Sequence, residues 1–362
     1  MIGRKLSLKL REKRMRSDID SIPDYKPGKS AEDVKKEYGL QKVVKLASNE
    51  NPYGTSPKVV EVLKNFNSFN TYPPKDSEEL RERIAEYTGF EPEMIVVASG
   101  LDGVLETVFK MLIEPGDEVS FAIPTFPYYS ILSKIYRAKE KKIGRDEDFR
   151  MATFSQNSKL TIVCSPNNPT GNVEEYEFVR EIAESVDGYV FIDEAYAEFT
   201  EKKLTRLAEN ENVMVGRTFS KAFGLANLRL GYCIMHPSLR RAFMKVNMPF
   251  PVSSLAIKAG IVALEDREWM ERCVKLIKRD REWFYKELRK ISKPSKSEAN
   301  FLYVETDVEA RVIAKELEKR GIIVRELSGF EGASRYAFRV DVGKREDLIY
   351  FISNFKDVLC SQ

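Results

Sequence analysis

From residue 94 onward, short apolar runs alternate with stretches of helical spacing. MIVVAS (94–99), EVSFAI (118–123), KLTIVC (159–164), YVFID (189–193), NVMVGRT (212–218) and LGYCIM (230–235) read as strands. VLETVFKMLI (104–113) carries its apolar residues at helical spacing, and further helical stretches separate most of the strands. Strand and helix in turn predict an open, largely parallel α/β sheet. Such sheets take ligands in the crevice beyond the carboxyl ends of their strands.

After about residue 256 the texture changes. A long charged amphipathic helix (257–291) leads to the polar break SKPSKSE. Strand NFLYVE, helix VEARVIAKELEKRG, strands IIVRE and YAFRVDV and a last helix from Glu346 follow. That pattern predicts a small α+β domain on a helical spine, with the first forty-odd residues packed on it and forming no sheet of their own. The expected division is a large domain over 45–256 and a small one built from 1–44 and 257–362. No repeat or low-complexity tract interrupts this order.

A chain of 362 residues with 43% hydrophobic residues can bury more than one core, which fits two domains. The net charge of +3 comes from nearly balanced acids and bases, so no general affinity for nucleic acid is implied. The high charged content, with only three glutamines, leans towards thermophile composition. One histidine, His236, argues against histidine-based metal sites and serine–histidine triads. The four cysteines show no metal-ligand spacing, and Cys164 and Cys233 in apolar runs read as buried free thiols of a reduced cytosol. The basic start MIGRKLSLKLREKRMR lacks the apolar core of a signal peptide and reads as a solvated helix or frayed terminus. No apolar run is long enough to cross a bilayer, so a soluble cytoplasmic protein is expected.

The candidate chemistry lies where the strands end. Ser99-Gly100 joins a strand to a helix start, where free backbone N–H groups can hold an anion, although most such turns only connect. It is neither a GxGxxG fingerprint nor a P-loop. PTFPYY (124–129) presents Phe126, either to the core or over a planar ligand. SPNNPTG (165–171) places Asn167 and Asn168 in a turn more restricted than a plain connection requires. FIDEAY (191–196) puts Asp193 at the end of an apolar strand, where a carboxylate is costly unless a cation or strong donors pair with it. It is either an N-cap or the partner of a ligand's protonated ring nitrogen.

RTFSKAFGLANLRLGY (217–232) sets Thr218, Ser220, Lys221 and Arg229 after another strand end. A lysine made neutral by desolvation and nearby positive charge forms a Schiff base with an aldehyde. Hydroxyls and an arginine fork beside it suit a phosphate. Aldehyde, phosphate and basic ring together describe pyridoxal 5'-phosphate.

With those motifs, KLASNENPYG (45–54) and FRVDVG (338–343) in order, the chain resembles the fold-type I, pyridoxal-phosphate-dependent class I/II aminotransferases, nearest their histidinol-phosphate branch, over about 22–355. The resemblance implies a mostly parallel seven-stranded sheet in the large domain. It makes Lys221 the Schiff-base lysine and proton carrier, and Asp193 the partner of the ring nitrogen. Asn168 and Tyr196 would bond the cofactor's phenolic oxygen, and Phe126 would stack on its ring. Gly100, Leu101, Asp102, Thr218, Ser220 and Arg229 would cradle the phosphate. Tyr72 would reach the cofactor of a second subunit, which implies a homodimer.

On the substrate side it points to Arg339 for a carboxylate and Arg325 for a distal phosphate, with Tyr25 donated across the dimer and Asn51 and Asn300 shaping the pocket. Two departures stand out: GLDG (100–103) replaces the usual G-S/A-D-E, and ANLR (226–229) replaces AGLR. The expected activity is amino transfer from histidinol phosphate to 2-oxoglutarate. The alternatives are an aromatic amino acid aminotransferase and a decarboxylase of a phosphorylated amino acid.

Overall fold

The structure, a computed structural model, describes residues 16–24 and 28–361. Residues 1–15 of the basic start and Tyr25 lie outside the described residues. The strands are β1 (Val44–Leu46), β2 (Ile95–Ser99), β3 (Glu118–Ala122), β4 (Lys139–Ile143), β5 (Leu160–Cys164) and β6 (Tyr189–Asp193). They continue with β7 (Val213–Thr218), β8 (Leu230–Met235), β9 (Lys293–Pro294), β10 (Phe301–Glu305), β11 (Ile322–Glu326) and β12 (Ala337–Asp341).

Seven of them form one sheet in the order β2-β8-β7-β6-β5-β3-β4. Pairing is parallel except around β8, which runs antiparallel to both β2 and β7. The expected α/β class and seven-stranded sheet are therefore found. Strands β5, β7 and β8 are buried along their whole length, so both faces of the sheet are covered. One face packs the helix Gly100–Leu112, whose Leu101, Val104, Leu105, Val108 and Phe109 form a buried stripe at helical spacing.

The edge strand β4, sequence KEKKI, is not among the strands expected from the sequence. Its exposed lysines obscure any apolar run, yet charged residues are what an open edge needs to resist pairing with another chain.

The second sheet has the order β1-β11-β12-β10-β9. Here β1 pairs in parallel with β11, Val44 opposite Ile322, so the N-terminal segment does contribute a strand. The expected single helix over 257–291 is two, Ser254–Glu265 and Arg267–Leu288, interrupted at Asp266. Asp266 leaves helical geometry there and accepts hydrogen bonds from Ser56 Oγ at 2.5 Å and Lys58 Nζ at 2.8 Å. A tertiary tie broke the helix, which periodicity alone does not reveal. Cys164, Cys233 and Cys273 are buried free thiols, and Cys360 is exposed. No helix among the described residues is long and apolar enough to cross a membrane, and no group of metal-ligating residues is assembled there.

Candidate active site

Strand direction decides where the chemistry collects. Because β8 runs opposite to its neighbours, its first residues lie at the edge where β2, β3, β5, β6 and β7 end. Six separate segments therefore deliver side chains to one place, the crevice beyond the carboxyl ends. A cavity of about 230 Å³ opens there. Its walls include Leu101, Asp102, Phe126, Asn168, Asp193, Tyr196, Thr218, Ser220, Lys221, Arg229, Arg325 and Arg339.

Asp193 ends β6 and is buried. Its carboxylate accepts from Tyr129 Oη at 2.6 Å and from the Ala195 backbone N–H at 3.0 Å. Burial pushes its pKa up to about 6, outweighing these donors. The site thus holds a carboxyl that gains from a cationic neighbour. Lys221 reaches in from the loop after β7 and donates to the Ser48 carbonyl at 3.2 Å. Its pKa is brought down to about 8, first by burial and then by the positive charge of Arg339; Asp341, Asp102 and Glu50 work in the opposite direction. A lysine so placed is largely an ammonium at neutrality but keeps a usable fraction of free amine.

Around the helix start Gly100–Leu112, the first amides have no intrahelical acceptor. Gly100 sits at φ 73°, and a Cβ there would meet Arg229 Nη2 at 2.7 Å. A Cβ on Gly231 would collide with the Gly100 carbonyl carbon, so β8 and the helix start approach backbone to backbone. Arg229 is itself left-handed at φ 49° and pairs with Asp102 at 2.7 Å. Thr218 and Ser220 hydroxyls lie 3.0 Å apart beside it. Amides, two hydroxyls and a guanidinium form an anion cradle, with a buried carboxyl and an amine further in. That donor set fits pyridoxal phosphate.

The second sheet supplies the opposite wall. Arg339 in β12 donates to Asn168 Oδ1 at 2.6 Å and to the Ala47 carbonyl at 2.7 Å, linking the two sheets across the cavity. Its Nε is buried without a hydrogen-bond partner and lies 3.8 Å from Asp341 Oδ1. Arg325 in β11 stands on the same side, 5.5 Å from the Phe330 ring centre. A larger cavity of about 470 Å³ adjoins the first, sharing Gly28, Phe126 and Arg325 as a common wall.

Not every expected residue lines the site. Asn51 uses both polar ends on the backbone, donating to Ala222 O at 2.9 Å and accepting from Tyr53 N at 3.0 Å, so it braces the loop that carries Lys221. Asn300 donates to the Asn49 carbonyl at 3.0 Å. Tyr72 is 82% exposed and stacks on Phe250 at 4.7 Å. Three residues escaped the sequence reading: Tyr129, Asn49 and Asp341. Tyr129 and Asn49 sit inside recognised motifs beside better-known neighbours. Asp341 had a signal of its own, since Arg339 and Asp341 alternate with Phe338 and Val340 in a buried strand and must share a polar face.

A family model described as aminotransferase class I and II matches residues 41–355. A histidinol-phosphate aminotransferase of Archaeoglobus fulgidus is 46% identical over 322 residues, covering 88% of this chain and 99% of that protein. One from Methanococcoides burtonii is 42% identical over 357 residues, covering 95% and 98%. In three dimensions the chain superposes on the crystal structure of histidinol-phosphate aminotransferase from Sinorhizobium meliloti in complex with pyridoxal 5'-phosphate. That match has a TM-score of 0.87 at 24% identity and covers 96% of this chain and 98% of that one.

Proposed function

The chain belongs to the aminotransferase class I and II family, and we propose that it is a histidinol-phosphate aminotransferase using pyridoxal 5'-phosphate and 2-oxoglutarate. The observation that carries the substrate assignment is the pair of arginines. Arg325 and Arg339 line the cavity that also holds Lys221, one on each of two adjacent strands. Two guanidinium forks suit a site that must take a phosphate in one half-reaction and carboxylates in the other. The names of the relatives support the same choice.

When bound, the cofactor supplies an aldehyde for amine capture and a protonated ring that draws electrons from the substrate's Cα. The chain's residues do the rest. Lys221 would hold the cofactor's aldehyde carbon and, as a free amine, would take the proton from the substrate's Cα. Asp193, a carboxyl whose pKa burial raises, would hold the proton on the ring nitrogen and be stabilised by that cation. Tyr196 and Asn168 would bond the phenolic oxygen, and Phe126 would cover the ring. Gly100, Leu101, Asp102, Thr218, Ser220 and Arg229 would hold the cofactor's phosphate, while Arg339 and Arg325 would meet the substrate phosphate in one half-reaction and the carboxylates of glutamate and 2-oxoglutarate in the other.

The reading includes a homodimer. Phe69 and Tyr72 are 73% and 82% exposed and lie with Met248 and Phe250 among the exposed large apolar side chains, a set that suits a second copy. Tyr72 would then reach the partner's cofactor phosphate, and Tyr25 its substrate. A cytoplasmic setting is consistent with the free thiols.

The test is a half-reaction. Holoenzyme is mixed separately with L-histidinol phosphate, L-phenylalanine and L-glutamate, and loss of the cofactor's visible absorbance is followed. Fast conversion with histidinol phosphate and slow conversion with phenylalanine is the expected ranking. The reverse order identifies an aromatic aminotransferase. Arg325→Leu should lower kcat/KM for histidinol phosphate by roughly a hundredfold, the loss of a charge-assisted pair, and leave phenylalanine little changed. Equal losses on both would remove Arg325 from the phosphate.

A further inference from the structure

We propose that Asn49 is a positioning residue that fixes the direction of the Tyr196 hydroxyl proton and ties that direction to the second sheet. The proposal rests on the reading that the cofactor's phenolic oxygen lies beside Tyr196.

Asn49 is buried at 2% exposure and left-handed at φ 55°. Its side-chain Nδ2 donates to Tyr196 Oη at 2.7 Å. A phenol has one hydrogen to give. With one lone pair of Oη occupied by Asn49, that hydrogen turns away from it, and Tyr196 lines the cavity. The hydroxyl therefore faces the cavity as a donor rather than rotating freely between donor and acceptor roles.

The backbone of Asn49 is tied to the other sheet. Its N–H donates to Asp341 Oδ2 at 2.5 Å, and its carbonyl accepts from Asn300 Nδ2 at 3.0 Å. Asp341 ends β12, two residues after Arg339, and Asn300 immediately precedes β10. One residue thus joins the strand carrying the carboxylate-binding arginine to the hydroxyl on the cofactor side. The other groups facing Tyr196 are Arg339, whose charge favours the phenolate, Cys164 and Asp193, which oppose it, and Lys221, with Nζ 6.0 Å from the ring centre. Phe301 packs edge-on at 5.1 Å. Among the described residues, Asn49 is the one that hydrogen-bonds to Oη.

The left-handed backbone supplies a clean experiment. Glycine adopts φ 55° without strain, so Asn49→Gly removes the side chain and preserves both backbone ties. Donation to an oxyanion favours the deprotonated form, so loss of an oriented donor raises a titration midpoint. The visible absorbance of the holoenzyme is titrated with pH for the wild type, Asn49→Gly, Tyr196→Phe and the double variant. The expected result is a midpoint raised by about half to one pH unit in Asn49→Gly. Tyr196→Phe should raise it at least as far, and Asn49→Gly should add nothing once Tyr196 is gone.

Asn49→Asp tolerates the same backbone and replaces the donor by an acceptor, which draws the proton away from the cavity and raises the midpoint at least as much as glycine does. An equal shift from Asn49→Gly with and without Tyr196 would mean a general structural effect and overturn the proposal. An unchanged midpoint in Asn49→Gly would do so too. Absence of a visible band in the wild-type protein saturated with pyridoxal phosphate would instead overturn the cofactor reading on which it rests.

Discussion

At the scale of single residues, the site is built from groups that burial makes unstable. Asp193 ionises only above its ordinary range, with a pKa raised from 3.8 to about 6. For a carboxyl, a raised folded-state value means the folded protein binds the proton more tightly. Stability from this group is present at low pH and lost as pH rises from the unfolded value through about 6. Two units correspond to roughly 3 kcal/mol. Asp193→Asn is expected to stabilise the cofactor-free protein by about 1–3 kcal/mol in urea unfolding at pH 8 while abolishing transamination. A destabilised Asp193→Asn protein would show that Tyr129 and Ala195 already satisfy the charge.

Lys221 offers a second reading of the same physics. Only the free amine captures an aldehyde, so the rate at which the cofactor-free protein takes up pyridoxal phosphate should climb as pH rises through about 8 and then level. Arg339 is the largest charge lowering that value. Replacing it with Gln should move the midpoint upward, and stopped-flow absorbance would record the change.

At the scale of elements, the break at Asp266 carries a testable cost. Asp266→Ala strands the buried Ser56 hydroxyl and should cost about 1–3 kcal/mol in denaturant unfolding without altering KM. Lys58→Ala removes a largely exposed partner of the same carboxylate and should shift the same unfolding curve far less. This scale also separates what the sequence reveals from what it hides. Strands β2, β3, β5, β6, β7 and β8 are visible as apolar runs because their neighbours cover both faces. Strand β4 and strand β1 are not, since one is charged at an open edge and the other is three residues long and pairs with distant β11. The helix break likewise depends on Ser56, about two hundred positions away. Motif chemistry marked Asp193, Lys221, Asn168 and Arg229 directly. Tyr129 acts on Asp193 and Asn49 on Tyr196, contacts between distant segments that only the folded structure reveals.

At the scale of the molecule, the two sheets are joined through the site. Arg339 to Asn168, Asn49 to Tyr196 and Glu298 N to Gly171 O, the last at 2.7 Å, all bridge them. Assembly should matter as well. Sedimentation should show a dimer, and Tyr72→Phe should leave it intact while speeding cofactor dissociation by on the order of tenfold, the worth of one charge-assisted bond. Unchanged retention would place Tyr72 outside the phosphate site.

The parallel pairing of β1 with β11 has a consequence for the nascent chain. A ribosome releases the strands of the seven-stranded sheet well before it releases β10, β11 or β12, and domains tend to fold as units in that order. The pyridoxal-phosphate cradle can therefore be assembled on a growing chain that still lacks both substrate arginines. During that interval the segment bearing Ser48 and Asn49, made before the seven-stranded sheet, must wait undocked for partners made after it. Cofactor present during synthesis would meet its phosphate cradle before the opposite wall of the site exists, which makes translation itself a natural moment for loading.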